Sequence, residues 1–306
     1  MQSNMAETVR AQSGDRSIGW IGAGKMGAPM IRNLLAAGLA VAVTEPDHQI
    51  VLDLERAGAV SAGSLDHHSQ SGVVFATLPN DKVLRAVVLG TQGTKGLIHH
   101  MARGSIFVEM STVSPDCSSE IALALAECGV AYLRAPLSGS TALAEKAALT
   151  VLASGDAAAW ASVLPTIRLL SARQFYLGTG EEARYMKLVI NTLVGASSAI
   201  LAEAVALGES GGLSRAAMMD VICESAVASP LFKYKTDAVV SADYAPAFTI
   251  GQMIKDFSLI SDAGRANGVP LLTTGLILEL YRAAANSGLR EQDFFALVKW
   301  QTDISA

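Results

Sequence analysis

The stretch SIGWIGAGKMGAPMIRNLLAAG, residues 17–38, decides the fold. An apolar run at 17–21 is followed by a glycine-rich turn and then by apolar residues at helical spacing. Gly22 allows the tight turn, Gly24 lets the backbone approach a pyrophosphate, and Gly27 permits close packing of helix on strand. The N-terminus of that helix offers N–H groups to phosphates. The segment therefore predicts a dinucleotide site. Its predicted contacts are Gly22, Ala23, Gly24, Lys25, Met26 and Gly27.

Outward from this segment, short apolar runs alternate with helical segments as far as residue 177. Most runs are continuously apolar, which is typical of parallel strands covered by helices on both faces. Strands alternating with helices predict right-handed crossovers and a doubly wound sheet. The predicted strands are 17–21, 41–43, 73–78, 105–109, 130–133, 149–153 and 174–177, and the predicted helices between them are 28–37, 49–57, 81–89 and 115–128.

After Gly180 the β-rich runs stop and the pattern becomes helical. One long helix is predicted over 181–208, and Ser214 is the expected N-cap of the next. Further helices are predicted at about 230–240, 251–267, 270–287 and 291–300. The prediction is an α/β fold with a flexible tail (1–16), a Rossmann-type dinucleotide-binding domain (17–180) and an all-helical domain (181–306), the last two joined by the long helix.

The composition is that of an apolar and weakly charged protein. Of the 306 residues 51% are hydrophobic and 17% are charged, and the formal net charge is −5. Such a chain is not expected to be disordered. Because no basic run stands out, the chain also lacks the charge pattern of a nucleic-acid-binding protein. We therefore expect a folded protein without a nucleic-acid partner.

Three features of the sequence bear on localisation. The apolar stretch 186–208 approaches the length of a bilayer span, but it carries Lys187 and Glu203, and we interpret it as a helix buried between domains or subunits. The polar segment 1–16 lacks the apolar core of a secretory signal. The three cysteines have no metal-ligand spacing and fit reduced thiols. We expect a cytoplasmic protein with no membrane partner and no metal site.

An acidic residue follows the second predicted strand. Glu45 lies in the segment VTEPDH, 43–48, and follows the glycine loop at roughly the 20-residue spacing of a ribose-binding acid. A carboxylate there accepts hydrogen bonds from the ribose hydroxyls of NAD, and its charge repels the 2′-phosphate of NADP. No Arg or Lys occurs between Asn33 and Glu55. The sequence predicts NAD in preference to NADP, although Glu45 could instead be a solvated loop residue.

Further sequence motifs follow the glycine loop along most of the chain. Including the segment of that loop, they are GAGKMGAPMIRNLLAAG (22–38), TLPND (77–81), VEMSTVSPD (108–116), APLSGS (135–140), MKLVIN (186–191) and IKDFSLI (254–260). Together they resemble the β-hydroxyacid dehydrogenase family, which includes 3-hydroxyisobutyrate dehydrogenases and tartronate and glyoxylate/succinic semialdehyde reductases. The resemblance implies hydride transfer between a nicotinamide cofactor and a small 3-hydroxyacid or semialdehyde.

The resemblance also assigns roles to individual residues. Lys187 is the implied general acid/base, and Asn191, one helical turn later, would orient the substrate hydroxyl or the ammonium. To act as a base near neutral pH, Lys187 would need a pKa lowered by burial; on spacing alone, it also fits a lysine extending from an apolar helix. Ser138 and the Gly139 N–H would hold the substrate carboxylate. The implied substrate contacts are Ser138, Gly139, Ser140, Phe232 and Asp256, and the further implied cofactor contacts are Leu78, Pro79, Thr112 and Lys255. By the same resemblance, Ser111 and Thr112 would face the nicotinamide end of the cofactor.

The loop that resembles the substrate-anchoring loop departs from the family pattern. Arg134 stands where the family usually has Asp, and both Ser140 and Leu143 stand where it has Gly. Ala147–Ala148 replace the usual Gly-Thr. We expect these changes to narrow and stiffen the loop. Arg134 is expected to be exposed at the strand end, unless it points inward to a second anionic group.

Two other functions and one structural alternative stay open. Imine reductases share the Rossmann domain and the long helix but generally lack a lysine at the position of Lys187. A non-catalytic NAD-binding scaffold could use the same fold, and Lys255 with Asp256 could be a surface charge pair.

The apolar, Ala-rich segment 193–208 would be hard to cover within one small domain. We therefore expect a homodimer or homotetramer joined through the helical domains.

Overall fold

The computed structural model describes residues 17–305, so the predicted tail at 1–16 lies outside the described residues. The chain forms two compact units, the first ending at Lys187 and the second beginning at Leu188. One continuous helix, Glu182–Ser210, passes through this border. The domain boundary predicted at residue 180 remains a prediction.

The first unit is built on a nine-stranded, mostly parallel sheet. Its strands are β1 (Ser17–Ile21), β2 (Val41–Thr44), β3 (Val60–Ser61), β4 (Ser71–Ala76), β7 (Ile106–Glu109), β8 (Ala131–Arg134), β9 (Leu137–Ser138), β10 (Leu149–Gly155) and β11 (Ser171–Tyr176), while β5 (Gly90–Thr91) and β6 (Thr94–Lys95) form a separate hairpin. The strand order is β11-β10-β8-β7-β4-β1-β2-β3, and β9 pairs with β10. This order, which reverses next to β1, confirms the predicted doubly wound fold.

Two neighbouring strands, β10 and β11, are parallel to each other but run against the predicted direction of the sheet. β10 is antiparallel to β8, with Ser154 opposite Arg134, and it is also antiparallel to β9. The segment between β8 and β10 forms β9 and a five-residue helix, Thr141–Glu145. Because this connection contains no full crossover helix, β10 enters the sheet from the opposite end.

Helices separate the strands of the first unit and bury their apolar sides against the sheet. They are α1 (Gly27–Ala36), α2 (His48–Arg56), α3 (Asp81–Val88), α4 (Pro115–Glu127), α5 (Thr141–Glu145) and α6 (Ala157–Arg168). The sequence analysis did not identify α5 or α6. Helix α6 contains Pro165, a residue that usually marks a helix end, and it begins where the Asp156 carboxylate accepts the Ala159 N–H.

Two apolar cores lie on opposite faces of this sheet because successive strand side chains point to opposite sides. In β4, Val73 and Phe75 belong to one core, and Val74 and Ala76 belong to the other. The continuously apolar runs in the sequence follow from this burial on both faces.

The second unit is helical and has its own core. The long helix α7 (Glu182–Ser210) is followed by α8 (Arg215–Glu224), α9 (Pro230–Ser241), α10 (Ile250–Ala266), α11 (Leu272–Ala284) and α12 (Leu297–Ser305). As predicted, Ser214 caps α8, since its side chain accepts the Ala217 N–H. The last helix begins at Leu297 instead of 291, because Asp293 has an extended backbone and caps a separate 3₁₀ turn.

Among the described residues one helix, α7, is long and apolar enough to cross a membrane on length and composition. Of its most apolar window, 44% is buried inside the protein.

Candidate active site

The three glycines of the first loop lie between the end of β1 and the start of α1. Gly22 has a φ of +84°, and a Cβ there would clash with the Thr77 carbonyl oxygen. A Cβ on Gly27 would clash with the Gly22 carbonyl oxygen. A Cβ on Gly24, in contrast, would meet no described atom within 4 Å. The backbone at Gly24 therefore faces open space, as the approach of a pyrophosphate requires.

Two side chains that the sequence analysis missed support this loop from below. The Trp20 indole N–H donates to the Gly22 carbonyl oxygen at 3.0 Å and to Thr77 Oγ1 at 3.1 Å. The Thr77 hydroxyl donates to the same carbonyl. Trp20 is fully buried and stacks on Phe75 at 5.2 Å. A tryptophan two residues before the first glycine of the loop is the one signal in the sequence that could have indicated this support.

Glu45 lies beside the glycine loop. One carboxylate oxygen accepts the Ala23 N–H at 2.6 Å, and the other accepts the Asp47 N–H at 3.0 Å. The side chain follows directly on β2, at the carboxyl edge of the sheet. A dinucleotide seated on the glycine loop would bring its ribose to this edge. The residues present therefore fit a nicotinamide dinucleotide.

The loops after β4 and β7 carry three further predicted cofactor contacts, Leu78, Pro79 and Thr112, and a hydrogen bond joins the two loops. The Leu78 N–H donates to Ser111 Oγ at 2.6 Å, next to Pro79 and Thr112. Ser111 is buried and Thr112 is half-buried. Below these loops lies a buried ion pair between Glu109 and Arg184. The sequence analysis did not assign a role to either member.

The expectation of an exposed Arg134 is wrong. The residue is buried, and its guanidinium donates to Glu181, through Nε at 2.8 Å and also through an Nη. It also lies over the Tyr132 ring at 4.6 Å from the centroid. Because Glu181 neutralises its charge, Arg134 does not present a cation to a second anionic group of a substrate.

The predicted anchoring loop is short and tightly packed. Ser138 is half-buried and pairs with Thr150 across β9 and β10, while Gly139 has a φ of +139°. A Cβ on Gly139 would lie 3.2 Å from Leu143 Cδ1 and 2.8 Å from Leu149 Cδ2. Ser140 follows as the residue before α5. The Leu143 side chain therefore lies next to Gly139, and the narrowing of the loop for a substrate stays a prediction.

Lys187 and Asn191 lie one turn apart on α7. Lys187 is half-buried. In the second unit, Asn191 is buried, and its Nδ2 donates to Asp256 Oδ2 at 2.5 Å. Lys255 Nζ lies 3.1 Å from the other oxygen of Asp256. Asp256 is only 1% exposed, so the alternative of a surface charge pair is wrong for this residue.

Phe232 lies in the first turn of α9. Its N–H donates to Ser229 Oγ at 3.1 Å, and its half-buried ring packs against the core of the second unit. Among the described residues, no group of three or more His, Cys, Asp or Glu side chains is arranged to hold a metal ion.

Most of the chain resembles known protein families. Residues 17–178 match the family model of the NAD-binding domain of 6-phosphogluconate dehydrogenase, and residues 181–301 match that of NADP-dependent 3-hydroxyisobutyrate dehydrogenase, described as NAD-binding. The chain is 30% identical to 2-(hydroxymethyl)glutarate dehydrogenase of Eubacterium barkeri over 93% of its length and 94% of the relative. It is 32% identical to NAD-dependent L-serine dehydrogenase of Pseudomonas aeruginosa, covering 93% and 97%.

A solved structure shows the same architecture. The 3-hydroxyisobutyrate dehydrogenase from Salmonella typhimurium superposes with a TM-score of 0.83 and 28% identity, covering 93% of this chain and 99% of that one. Fold and glycine loop define an NAD(P)-dependent oxidoreductase of the Rossmann type. The chain belongs to the β-hydroxyacid dehydrogenase family.

Proposed function

We propose that this protein oxidises a small 3-hydroxyacid, or reduces the corresponding semialdehyde, with NAD in preference to NADP. The observation that carries the cofactor preference is the position of Glu45, whose carboxylate is hydrogen-bonded to the glycine loop at Ala23. Another acid, Asp47, follows in the same turn, and no Lys or Arg lies between Asn33 and Glu55. These acidic surroundings favour binding of the ribose hydroxyls of NAD over binding of the 2′-phosphate of NADP.

The proposed chemistry uses Lys187 as the general acid/base. In oxidation the Lys187 amine takes the proton of the substrate hydroxyl while the carbinol hydrogen leaves as hydride. The nicotinamide ring supplies the hydride acceptor when the cofactor is bound. The side-chain amide of Asn191 donates an N–H to Asp256. The amide oxygen of Asn191 is then proposed to orient the substrate hydroxyl or the Lys187 ammonium.

Ser138 and the Gly139 N–H are proposed to hold the substrate carboxylate. Ser140, Phe232 and Asp256 are the other proposed substrate-site residues, and Lys255 is proposed to reach the cofactor. Because Arg134 is neutralised by Glu181, we propose no role for it as a ligand of a second anionic group.

We further propose a homodimer or homotetramer in the cytoplasm. Four apolar side chains recur at seven-residue spacing along α7, and they are 37%, 65%, 60% and 75% exposed. These side chains are Met186, Leu193, Ile200 and Leu207. An exposed apolar row of this kind is typical of a helix that packs against another subunit. The three cysteines are free, as in a reducing compartment.

The test is a set of initial rates at ~340 nm with NAD and with NADP, across 3-hydroxyacids and, in reverse, short semialdehydes. We expect turnover with NAD to exceed turnover with NADP. In Lys187→Ala, kcat should fall by roughly 10²- to 10⁴-fold, while the Kd of NAD stays unchanged. NADP-only turnover would contradict the role of Glu45. NAD binding without turnover of any compound would favour the non-catalytic scaffold.

A further inference from the structure

The Glu109–Arg184 ion pair is the most deeply buried charge pair among the described residues. Glu109 is 0% exposed and Arg184 is 1% exposed. Burial alone would lower the pKa of Arg184, but the adjacent Glu109 and Tyr132 outweigh this effect and raise it above its ordinary value. Transferring two charges from water is costly, and apolar residues often replace such a pair without loss of stability. The pair therefore calls for an explanation beyond packing.

Both members of the pair bind the backbone of Ser111. The Ser111 N–H donates to Glu109 Oε1 at 2.7 Å, and Arg184 Nη1 donates to the Ser111 carbonyl oxygen at 2.7 Å. Ser111 in turn accepts the Leu78 N–H. The pair thus holds the Ser111–Thr112 loop, which is proposed to face the nicotinamide end of the cofactor, and through Ser111 it also holds the loop of Leu78 and Pro79.

The same arginine belongs to the first turn of α7, three residues before Lys187. Residues three apart on a helix share one face. One side chain therefore connects the loop next to the nicotinamide with the helical turn that precedes the proposed acid/base.

We propose that Arg184, held by Glu109, is a positioning residue that sets the distance between the Ser111–Thr112 loop and Lys187. This inference rests on the proposed function. Hydride and proton leave neighbouring atoms of one substrate, so their two acceptors must hold a constant separation. A shift of about 1 Å in such an arrangement can cost about 100-fold in rate.

The geometry requires an arginine specifically. Its Nε donates to Ser118 Oγ at 3.2 Å, and its Nη2 donates to Glu109 and, at 3.0 Å, to the Tyr132 hydroxyl. Only a planar fork reaches these acceptors and the Ser111 carbonyl together. A lysine would keep the charge beside Glu109 but would lose most of the other bonds.

The decisive experiment compares the affinities of wild type and Arg184→Lys for NADH and for ADP-ribose, which lacks the nicotinamide, by calorimetry. We expect the Kd of ADP-ribose to stay within about twofold, and the preference for NADH over ADP-ribose to fall by at least about fivefold, about 1 kcal/mol. This readout does not depend on turnover. With a compound that the wild type oxidises, kcat should also fall by about 10- to 100-fold.

The matched control is Arg215→Lys. Arg215 also pairs with a carboxylate through Nε, that of Glu209 at 2.6 Å, but it lies on α8 in the second unit. Arg215→Lys should leave the preference for NADH over ADP-ribose and kcat unchanged. If Arg184→Lys does not fold, Tyr132→Phe removes one bond to Arg184 and should change the NADH preference in the same direction but less.

Equal weakening of both ligands in Arg184→Lys would overturn the proposal, because it would show a purely structural role. An unchanged preference, in Arg184→Lys or in the substitute Tyr132→Phe, would overturn it as well. Absence of turnover in the wild type would count against the proposed function. The comparison of the affinities for NADH and ADP-ribose would still test the proposed role of Arg184.

Discussion

Gly22, Gly24 and Gly27 belong to one sequence motif, but in the structure each position requires glycine for a different reason. Gly22 needs its positive φ, and Gly27 needs the space that a Cβ would fill. Gly24 needs neither within the protein, since its missing Cβ faces open space. A substitution at Gly24 would therefore act on cofactor binding, whereas substitutions at the other two would act on the fold of the loop.

Ala147 is a residue where the backbone conflicts with the side chain. Its φ is +52°, a left-handed conformation that costs an L-residue about 1–2 kcal/mol. The family pattern has glycine here. We expect Ala147→Gly to raise the free energy of unfolding by ~0.5–1 kcal/mol after the entropy cost of glycine is subtracted, as measured by urea denaturation.

The neighbouring alanine provides the control. Ala148 is not among the residues with positive φ, and its N–H donates to the Leu143 carbonyl oxygen at 2.8 Å. Ala148→Gly should lower the free energy of unfolding by ~0.5–1 kcal/mol. Equal effects of the two substitutions would show that backbone strain at Ala147 is not released.

At the scale of elements, α9 is joined to the C-terminal part of the chain by a buried pair. Lys235 Nζ lies 2.7 Å from Asp293 Oδ2, and both side chains are at most 7% exposed. Asp293 also accepts the N–H groups of Ala247, Phe248 and Phe295. One carboxylate therefore ties together α9, the loop before α10 and the turn before α12.

We expect Lys235→Met to lower the free energy of unfolding of the second unit by about 3 kcal/mol, because it leaves a buried carboxylate without its cation. Lys233, on the same helix, pairs with Glu224 at the surface. Lys233→Met should change stability by less than about 0.5 kcal/mol. Denaturation followed by far-UV circular dichroism measures both, and similar losses in both variants would contradict the difference in burial.

For the molecule as a whole, His68 introduces a dependence of stability on pH. The residue is fully buried, and its Nε2 lies 2.8 Å from Thr44 Oγ1. Burial lowers the pKa of His68 to about 4, against an ordinary value of 6.5. The unfolded chain therefore takes up this proton at a higher pH than the folded chain does.

Its stabilising contribution is complete above the unfolded pKa and is lost as the pH falls from about 6.5 to about 4, by about 3 kcal/mol in total. In His68→Gln the free energy of unfolding should vary less with pH over this range than it does in the wild type. In the control His67→Gln, at an exposed histidine, it should vary with pH as in the wild type. Urea denaturation at several pH values gives the slopes. Equal slopes in all three proteins would show that His68 is not the group responsible.

The proposed assembly is also a property of the whole molecule. Leu193→Glu with Ile200→Glu would put charges into the apolar row of α7 and should convert the oligomer to a monomer in sedimentation at micromolar concentration. Leu123→Glu on α4, at a residue 71% exposed in the first unit, should not change the mass. A wild-type protein that sediments as a monomer would refute the proposed interface.

Features that depend on residues close together in the chain could be predicted from the amino-acid order alone. The strand, glycine turn and helix of residues 17–38 and the capping of α8 by Ser214 follow from residues a few positions apart. The doubly wound sheet follows from continuously apolar strands alternating with helices, because burial on both faces leaves that pattern in the chain.

The contacts between polar groups far apart in the chain became visible in the folded structure and could not be predicted. Arg184 reaches Glu109 across 75 positions, Asn191 reaches Asp256 across 65, and Arg134 is neutralised by Glu181 across 47. The hydrophobic periodicity of the sequence does not predict pairs between residues so far apart. A charge enters the interior only where folding brings it a partner, and that partner is chosen by the packing of whole elements.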